Sequence, residues 1–389
     1  MKTIPRATLL EFHHNGLQKK KGESTLEAIL RNAAEFALGP DENTQKGKIH
    51  GWTSARFDGD RQIDKETCDY GMDRLRLQST EADRKVPASV LRYHVGRDVE
   101  AQKKAKGLVS LSRKMTREIK EFEAKRLRET APVSYSSTDL YLLLEDKQGY
   151  AVTTAAPDSK AMIRLGELWY NTTKSPLYPI SAPDLCPKNF ETCPREPLHS
   201  MGQSNLLSNR FEAGAEFLTW LVVAGPNAMP ESKNGLAITT HTPCLLSDGT
   251  KIRIFGGELL CPEMREALLS GKMVRSVRIV VHQGDDAWHG VLDQSLSISQ
   301  LEVPPFDLEG DPKRDYATQM REALVALRYV VDLYKWWLTN VRMDKNAWGR
   351  FAAECRTVTI GAIGSSQKRK QALARWNRTS DDVDKLLGK

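Results

Sequence analysis

The chain has 389 residues, with 57 Lys and Arg against 50 Asp and Glu and a formal net charge of +7. Its 40% hydrophobic content suffices for a real core, and the length fits two or three domains or one elaborated α/β unit. No apolar run approaches the roughly 18 residues of a membrane span. The start, MKTIPRATLLEF, lacks the apolar stretch of a secretory signal. The expectation is a cytoplasmic protein whose basic balance favours an anionic partner, nucleic acid first and an anionic membrane second.

Thr8 to His13 reads as a strand, followed by the basic turn Lys19-Lys20-Lys21. Ser24 or Thr25 caps a helix over Leu26 to Leu38, with apolar residues at 26, 29, 30, 33, 36 and 37, and Gly39-Pro40 stops it. A polar loop leads to Gly51-Trp52, and Asp73 to Gln78, DRLRLQ, alternates like a half-buried strand. From Lys85 to Ser134 runs the most informative block. Between Val86 and Thr130 it holds twelve Lys or Arg against six Asp or Glu, a local net of +6. Gly107 divides two helical halves. In the second, Leu108, Leu111, Met115, Ile119 and Phe122 form one apolar stripe, predicted to face a core. Arg113, Lys114, Arg117, Lys120 and Arg128 fall mainly on the opposite face. A charge run is usually just a solvated face, but i,i+4 acidic partners are sparse on this one. It therefore suits a polyanion.

Leu140 to Leu144 and Tyr150 to Thr154 form a predicted hairpin, turning at Lys147-Gln148-Gly149. Ser159 to Asn171 is an amphipathic helix, Lys174 to Ile180 is extended, and residues 182 to 209 read as a loop or insertion. A second unit starts at Ala213, and Phe217 to Val223 is an apolar strand or short helix. Gly235 to Thr242, Cys244 to Ser247 and Lys251 to Phe255 are strands, and Pro262 to Ser270 is a short helix closed by Gly271. Met273 to His282 and Ala287 to Leu292 make a hairpin, and Ser295 to Val303 alternates. Asp315 to Val341 has the longest helical pattern. The tail from Asp344 to Arg378 has eight Lys or Arg to one Glu and one Asp, with Trp348, Phe351 and Trp376 interleaved. That mixture suits phosphate contact plus base stacking, or a packed helix with a solvated basic end.

No strong catalytic motif occurs. GAIGSSQK at 361 to 368 has its Gly and Lys in the wrong order for a phosphate-binding loop, and neither GxSxG nor HExxH is present. No cofactor is implied. Glu145-Asp146-Lys147 and Asp158 carry the one nuclease-like hint, because metal nucleases converge carboxylates on Mg²⁺; they read instead as turn chemistry. The six Cys lack CxxC spacing and read as reduced thiols. Cys186, Cys193 and His199 are a looser zinc alternative, and a disulfide is the other. The residues alone describe a basic α+β nucleic-acid binder without catalysis.

The order of these features resembles the RdgC family of recombination-associated DNA-binding proteins. The matching signs are Gly51-Trp52, DRLRLQ, Val86-Pro87, the Lys/Arg-rich helices, LYLLLEDKQGY, SPLYPIS at 175 to 181 and Thr219-Trp220. They continue with TKIRIFGGELLCPEMREALLSGKMV at 250 to 274 and WHGVLDQSLSISQLE at 288 to 302. The resemblance covers most of residues 1 to 343 and rests on the number and order of motifs. It implies a cytoplasmic, nucleoid-associated homodimer that closes as a ring around double-stranded DNA, with little sequence preference. Such a ring restrains RecA-driven strand exchange. Where family members often carry a basic-polar turn, this chain has Phe255-Gly256-Gly257. The aromatic residue that closes the family's ring interface would fall near Val133 or Tyr135.

The expected architecture is α+β, with mixed or antiparallel sheets and long helices in an RdgC-like ring-forming dimer. It divides into an N-terminal α+β region (1–181), a loop or insertion (182–212), a second α+β region (213–306), a long C-terminal helix (307–343) and a basic extension (344–389). The predicted DNA-binding residues are Lys103, Lys104, Lys106, Arg113, Lys114, Arg117, Lys120, Arg128, Arg253, Lys368, Arg369 and Lys370; Val133 and Tyr135 are the predicted dimer contacts. The alternatives are a metal-dependent DNA nuclease or processing factor, and a regulator that binds an acidic protein.

Overall fold

The computed structural model describes residues 3 to 360, apart from 13–15, 46, 55–59, 69, 72, 146–147, 193–208, 226–234, 248–249 and 307–311. In chain order the elements are β1 (Ile4–Phe12), α1 (Thr25–Glu35), β2 (Ile49–Thr53), β3 (Arg74–Arg84), α2 (Ala88–Lys106), α3 (Arg113–Thr130), β4 (Val133–Glu145) and β5 (Gln148–Thr153). Then come α4 (Lys160–Thr173), β6 (Leu177–Pro179), α5 (Ala182–Leu185), α6 (Ala213–Ala224), β7 (Ala237–Ser247), β8 (Lys251–Ile254), α7 (Pro262–Leu269), β9 (Met273–Gln283), β10 (Asp286–Asp293), β11 (Ile298–Glu302), α8 (Pro312–Trp337) and α9 (Lys345–Ile360). The fold is α+β, with antiparallel pairing of β2 with β3, β3 with β4, β1 with β11, β11 with β10, β10 with β9, β9 with β7 and β7 with β8. No helix among the described residues is long and apolar enough to cross a membrane.

The chain forms two compact units, the smaller made of 12–149 and 163–177, the larger of 1–11, 150–162 and 178–389. In the smaller unit β2, β3 and β4 pair in that order, with Trp52 opposite Ser79 and Leu75 and Leu77 opposite Leu142 and Leu140. These leucines, Trp52, Trp169 and the α1 residues Leu26, Ile29 and Leu30 are buried as its core. Helix α1 starts where its sequence demands. Ser24 accepts from the Glu27 N–H and the Glu27 carboxylate accepts from the Ser24 N–H, so two otherwise orphaned donors are satisfied reciprocally. Gly51 is glycine because the chain crosses itself there. A Cβ would stand 2.6 Å from Leu38 N and Cα, closer than real atoms approach. The Trp52 indole N–H donates to Thr172 Oγ1 at 2.8 Å.

In the larger unit the sheet order is β5-β1-β11-β10-β9-β7-β8, with β6 against β1 and β8 at an edge. One sheet face carries Cys244, Leu246, Ile254, Val277, Ile279, Val281, Trp288 and Leu292, all buried. Helix α6 packs against β9 and α7 against β8. The segment from 213 to 224 is helix rather than strand, and Ala213 to Val223 are buried on every side, which is why its apolar run shows no period. Helix α8 continues into a π-helical turn, Leu338–Arg342. Helix α9, inside the predicted basic extension, packs against that turn, α6 and α7. Trp348 and Phe351 are therefore buried in protein rather than free to stack on bases. At this junction Arg342 Nε donates to Glu216 Oε2 at 2.7 Å, and both side chains are 1% exposed. The guanidinium also lies over the Trp348 and Phe190 rings, at 4.4 and 4.9 Å.

Candidate nucleic-acid interface

Helices α2 and α3 form a helical hairpin in the smaller unit. Gly107 ends α2 in the left-handed region at φ 63°, a conformation that suits glycine, and the Ser112 hydroxyl accepts from the Met115 N–H to start α3. At 1.5 Å per residue each arm is about 27 Å long. The base of the hairpin is pinned. Arg128 Nη2 donates to Asp83 on β3 at 2.8 Å, and Arg84 Nη1 donates to the Glu129 and Ala131 carbonyls at the end of α3. The far end is open to solvent: residues 104 to 110 are all exposed, with Val109 at 96%.

The hairpin is held together differently from the sequence expectation. Helix α2 buries no residue, and α3 buries only Glu123. Arg126 grips Glu123 with Nε and Nη2, the closest approach being 2.6 Å, and its Nη2 lies 3.2 Å from His94 Nδ1 on α2. Met115 and Ile119 are half-buried, but Leu108 and Phe122 are exposed, Phe122 at 65%. The apolar stripe is thus half-buried at Leu111, Met115 and Ile119, open to solvent at Leu108 and Phe122, and does not face a core.

Five cations of the hairpin are in ion pairs: Arg97 with Asp98, Lys103 with Glu100, Arg117 with Glu121, Arg126 with Glu123 and Arg128 with Asp83. The Arg117 pair is exposed on both sides, so water screens it and a phosphate can compete for the guanidinium. The Glu100 carboxyl is lowered, first by its hydrogen bond from Lys103. Arg92, Lys104, Lys106, Arg113, Lys114, Lys120 and Lys125 are exposed and make no ion pair or side-chain hydrogen bond among the described residues. Arg92 and Lys125 join the predicted set. Both lie on the same hairpin, and a count of local charge alone could have found them.

The other predicted positions scatter. Arg253 lies in the larger unit on β8, with its guanidinium 5.6 Å from the Phe255 ring centroid. Lys368, Arg369 and Lys370 fall outside the described residues. Val133 is half-buried and Tyr135 exposed where β4 leaves the hairpin. The Tyr135 hydroxyl donates to both Asp41 carboxylate oxygens, at 2.8 and 2.9 Å, and burial together with that carboxylate raises its phenol. Asp146, Lys147, Cys193 and His199 are outside the described residues, and Asp158 is exposed in the turn before α4. Among the described residues no group of three or more His, Cys, Asp or Glu could hold a metal ion. Cys68, Cys186, Cys244, Cys261 and Cys355 are free thiols.

A scan against protein-family models finds no match to this chain, and a search of curated proteins finds no relative.

Proposed function

We propose that this protein binds double-stranded DNA without sequence preference, and that two copies close around the duplex and restrain recombinase-driven strand exchange by occluding it. The observation that carries the reading is the concentration on one hairpin, pinned at its base, of seven exposed cations that pair with nothing among the described residues. Each Lys or Arg that meets a phosphate releases condensed counterions, which gives affinity and salt dependence but reads no bases. The hairpin holds no Asn and a single Gln, Gln102, the amides that pair bidentately with adenine. Encirclement and antagonism of RecA come from the RdgC resemblance and belong to the same proposal.

The test is titration of the purified chain with duplexes of unrelated sequence across a range of salt. The expected result is similar affinity for all of them and a steep linear fall of log affinity with log salt. Strong preference for one sequence, or no binding at low salt, would overturn the reading. Degradation of linear DNA in Mg²⁺ that disappears in Asp146→Ala or Asp158→Ala would replace it with a nuclease.

A further inference from the structure

The edge strand of the larger unit carries a feature the duplex-binding reading does not use. Lys251, Arg253 and Phe255 alternate along β8 and its exit, and all three are exposed, while Ile254 between them is buried on the opposite face. Side chains two apart on a strand share a face and stand about 6.7 Å apart. Phe255 is 70% exposed, one of the largest apolar surfaces the described residues offer to water. The Arg253 guanidinium approaches this ring at 5.6 Å, so the ring is held alongside its own strand. Gly256 and Gly257 follow with φ of 70° and 71°, and a Cβ at either would meet nothing within 4 Å. The turn beyond the ring is therefore bare backbone, with room for a planar group.

The same sheet face continues across its neighbours. Arg253 is registered with Leu245 on β7, and Leu245 with Ser276 on β9. Two residues along β9, exposed Arg278 is registered with His241. From Thr250 to Gly257 the chain carries two cations and no acid. An exposed aromatic ring with a guanidinium over one face and further cations on the same sheet face is the chemistry of a single-strand platform: the open face of the ring stacks on a base of any identity, and the cations hold the phosphates either side. An apolar protein partner would need the cations buried without counter-charges, which is costly. Paired bases inside a duplex do not offer their faces.

We infer that Phe255 stacks on an unpaired nucleobase, with Lys251, Arg253 and Arg278 contacting the adjoining phosphates, so that the protein holds single-stranded or gapped DNA at a site separate from the hairpin. This deepens the DNA-binding proposal and rests on it. The test compares the full chain with Phe255→Ala and Phe255→Trp for binding to a thymidine homo-oligomer and to a duplex at one salt concentration. Far-UV circular dichroism of each variant confirms folding. Phe255→Ala is expected to weaken oligomer binding by about 5- to 150-fold, leave duplex binding within about twofold, and be rescued by Phe255→Trp. Wild-type binding to duplex with no binding to the oligomer, or an unchanged oligomer affinity in Phe255→Ala, would overturn the inference and leave the duplex reading standing. Binding to neither DNA would overturn both.

Discussion

Neutralising Arg113, Arg117 and Lys120 together should cost most of the duplex affinity. On a helix advancing about 100° per residue the three fall within an arc of about 60°, so they can face one phosphate backbone at once. Arg113 and Lys120 have no partner among the described residues to give up; Arg117 must leave its exposed pair with Glu121, so its share is the smallest. If all three meet phosphates, changing each to Gln removes three counterion-release events. The slope of log affinity against log salt should then fall by about 2.7. At about 0.1 M salt that corresponds to roughly 500-fold weaker binding. Being exposed, the three side chains contribute little to folding, so the melting temperature should barely move. Fluorescence anisotropy of a labelled duplex over a salt series gives both quantities. An unchanged slope would show that this face does not touch DNA, whatever happens to the affinity.

Two further outcomes follow from the interior and the margin of the fold. Arg342→Met removes the guanidinium from the buried Glu216 carboxylate and should destabilise the chain by about 3–5 kcal/mol in chemical denaturation; a loss under about 1 kcal/mol would mean that the site rearranges or admits water. Glu23 and Glu27 have carboxyls lowered from 4.5 to about 2, Glu23 first by hydrogen bonds from Arg31 and then by the Lys20 N–H, Glu27 first by Lys65 and then by Ser24. A carboxyl more acidic in the folded state stabilises it fully above pH 4.5, and that contribution is lost as pH falls toward 2. A double Glu23→Gln, Glu27→Gln variant should therefore be less stable than wild type at neutral pH and lose stability less steeply between pH 4.5 and 2. Parallel pH profiles for the two proteins would contradict this.

Much of the local structure was legible because its causes are local. The Ser24–Glu27 capping box and the glycine at 107 are short-range devices, and alternation marked β3 and β11 as strands. Periodicity says which residues share a face but not what covers it. The stripe from Leu108 to Phe122 looked like a core face, yet Glu123 is the residue α3 buries, partnered by Arg126 one turn along the same helix and by His94 across the hairpin. Ala213 to Val223 had no period to read because the helix is buried all round. Trp348 and Phe351, read as possible stacking groups, are drawn inward by Arg342 and Trp337, residues close in sequence whose contacts depend on how α9 turns back. The hairpin cations were legible as a charge excess. Arg117 pairs with Glu121, its i,i+4 neighbour on the same helix, which spacing can show; Arg128 pairs with Asp83 on β3, which only the three-dimensional arrangement selects. Phe255 gave no signal beyond its neighbours, since exposure of a single aromatic cannot be read from a strand that alternates normally.

The central claim is that two copies hold duplex DNA by closing around it. The direct measurement is the mass of the protein in solution, combined with its retention on covalently closed circular and linear duplexes of the same sequence after a challenge with high salt. The account predicts twice the mass of the chain, with protein kept on the circles and lost from the linear molecules through their ends. A monomer, or equal loss from circles and linear DNA, would contradict it.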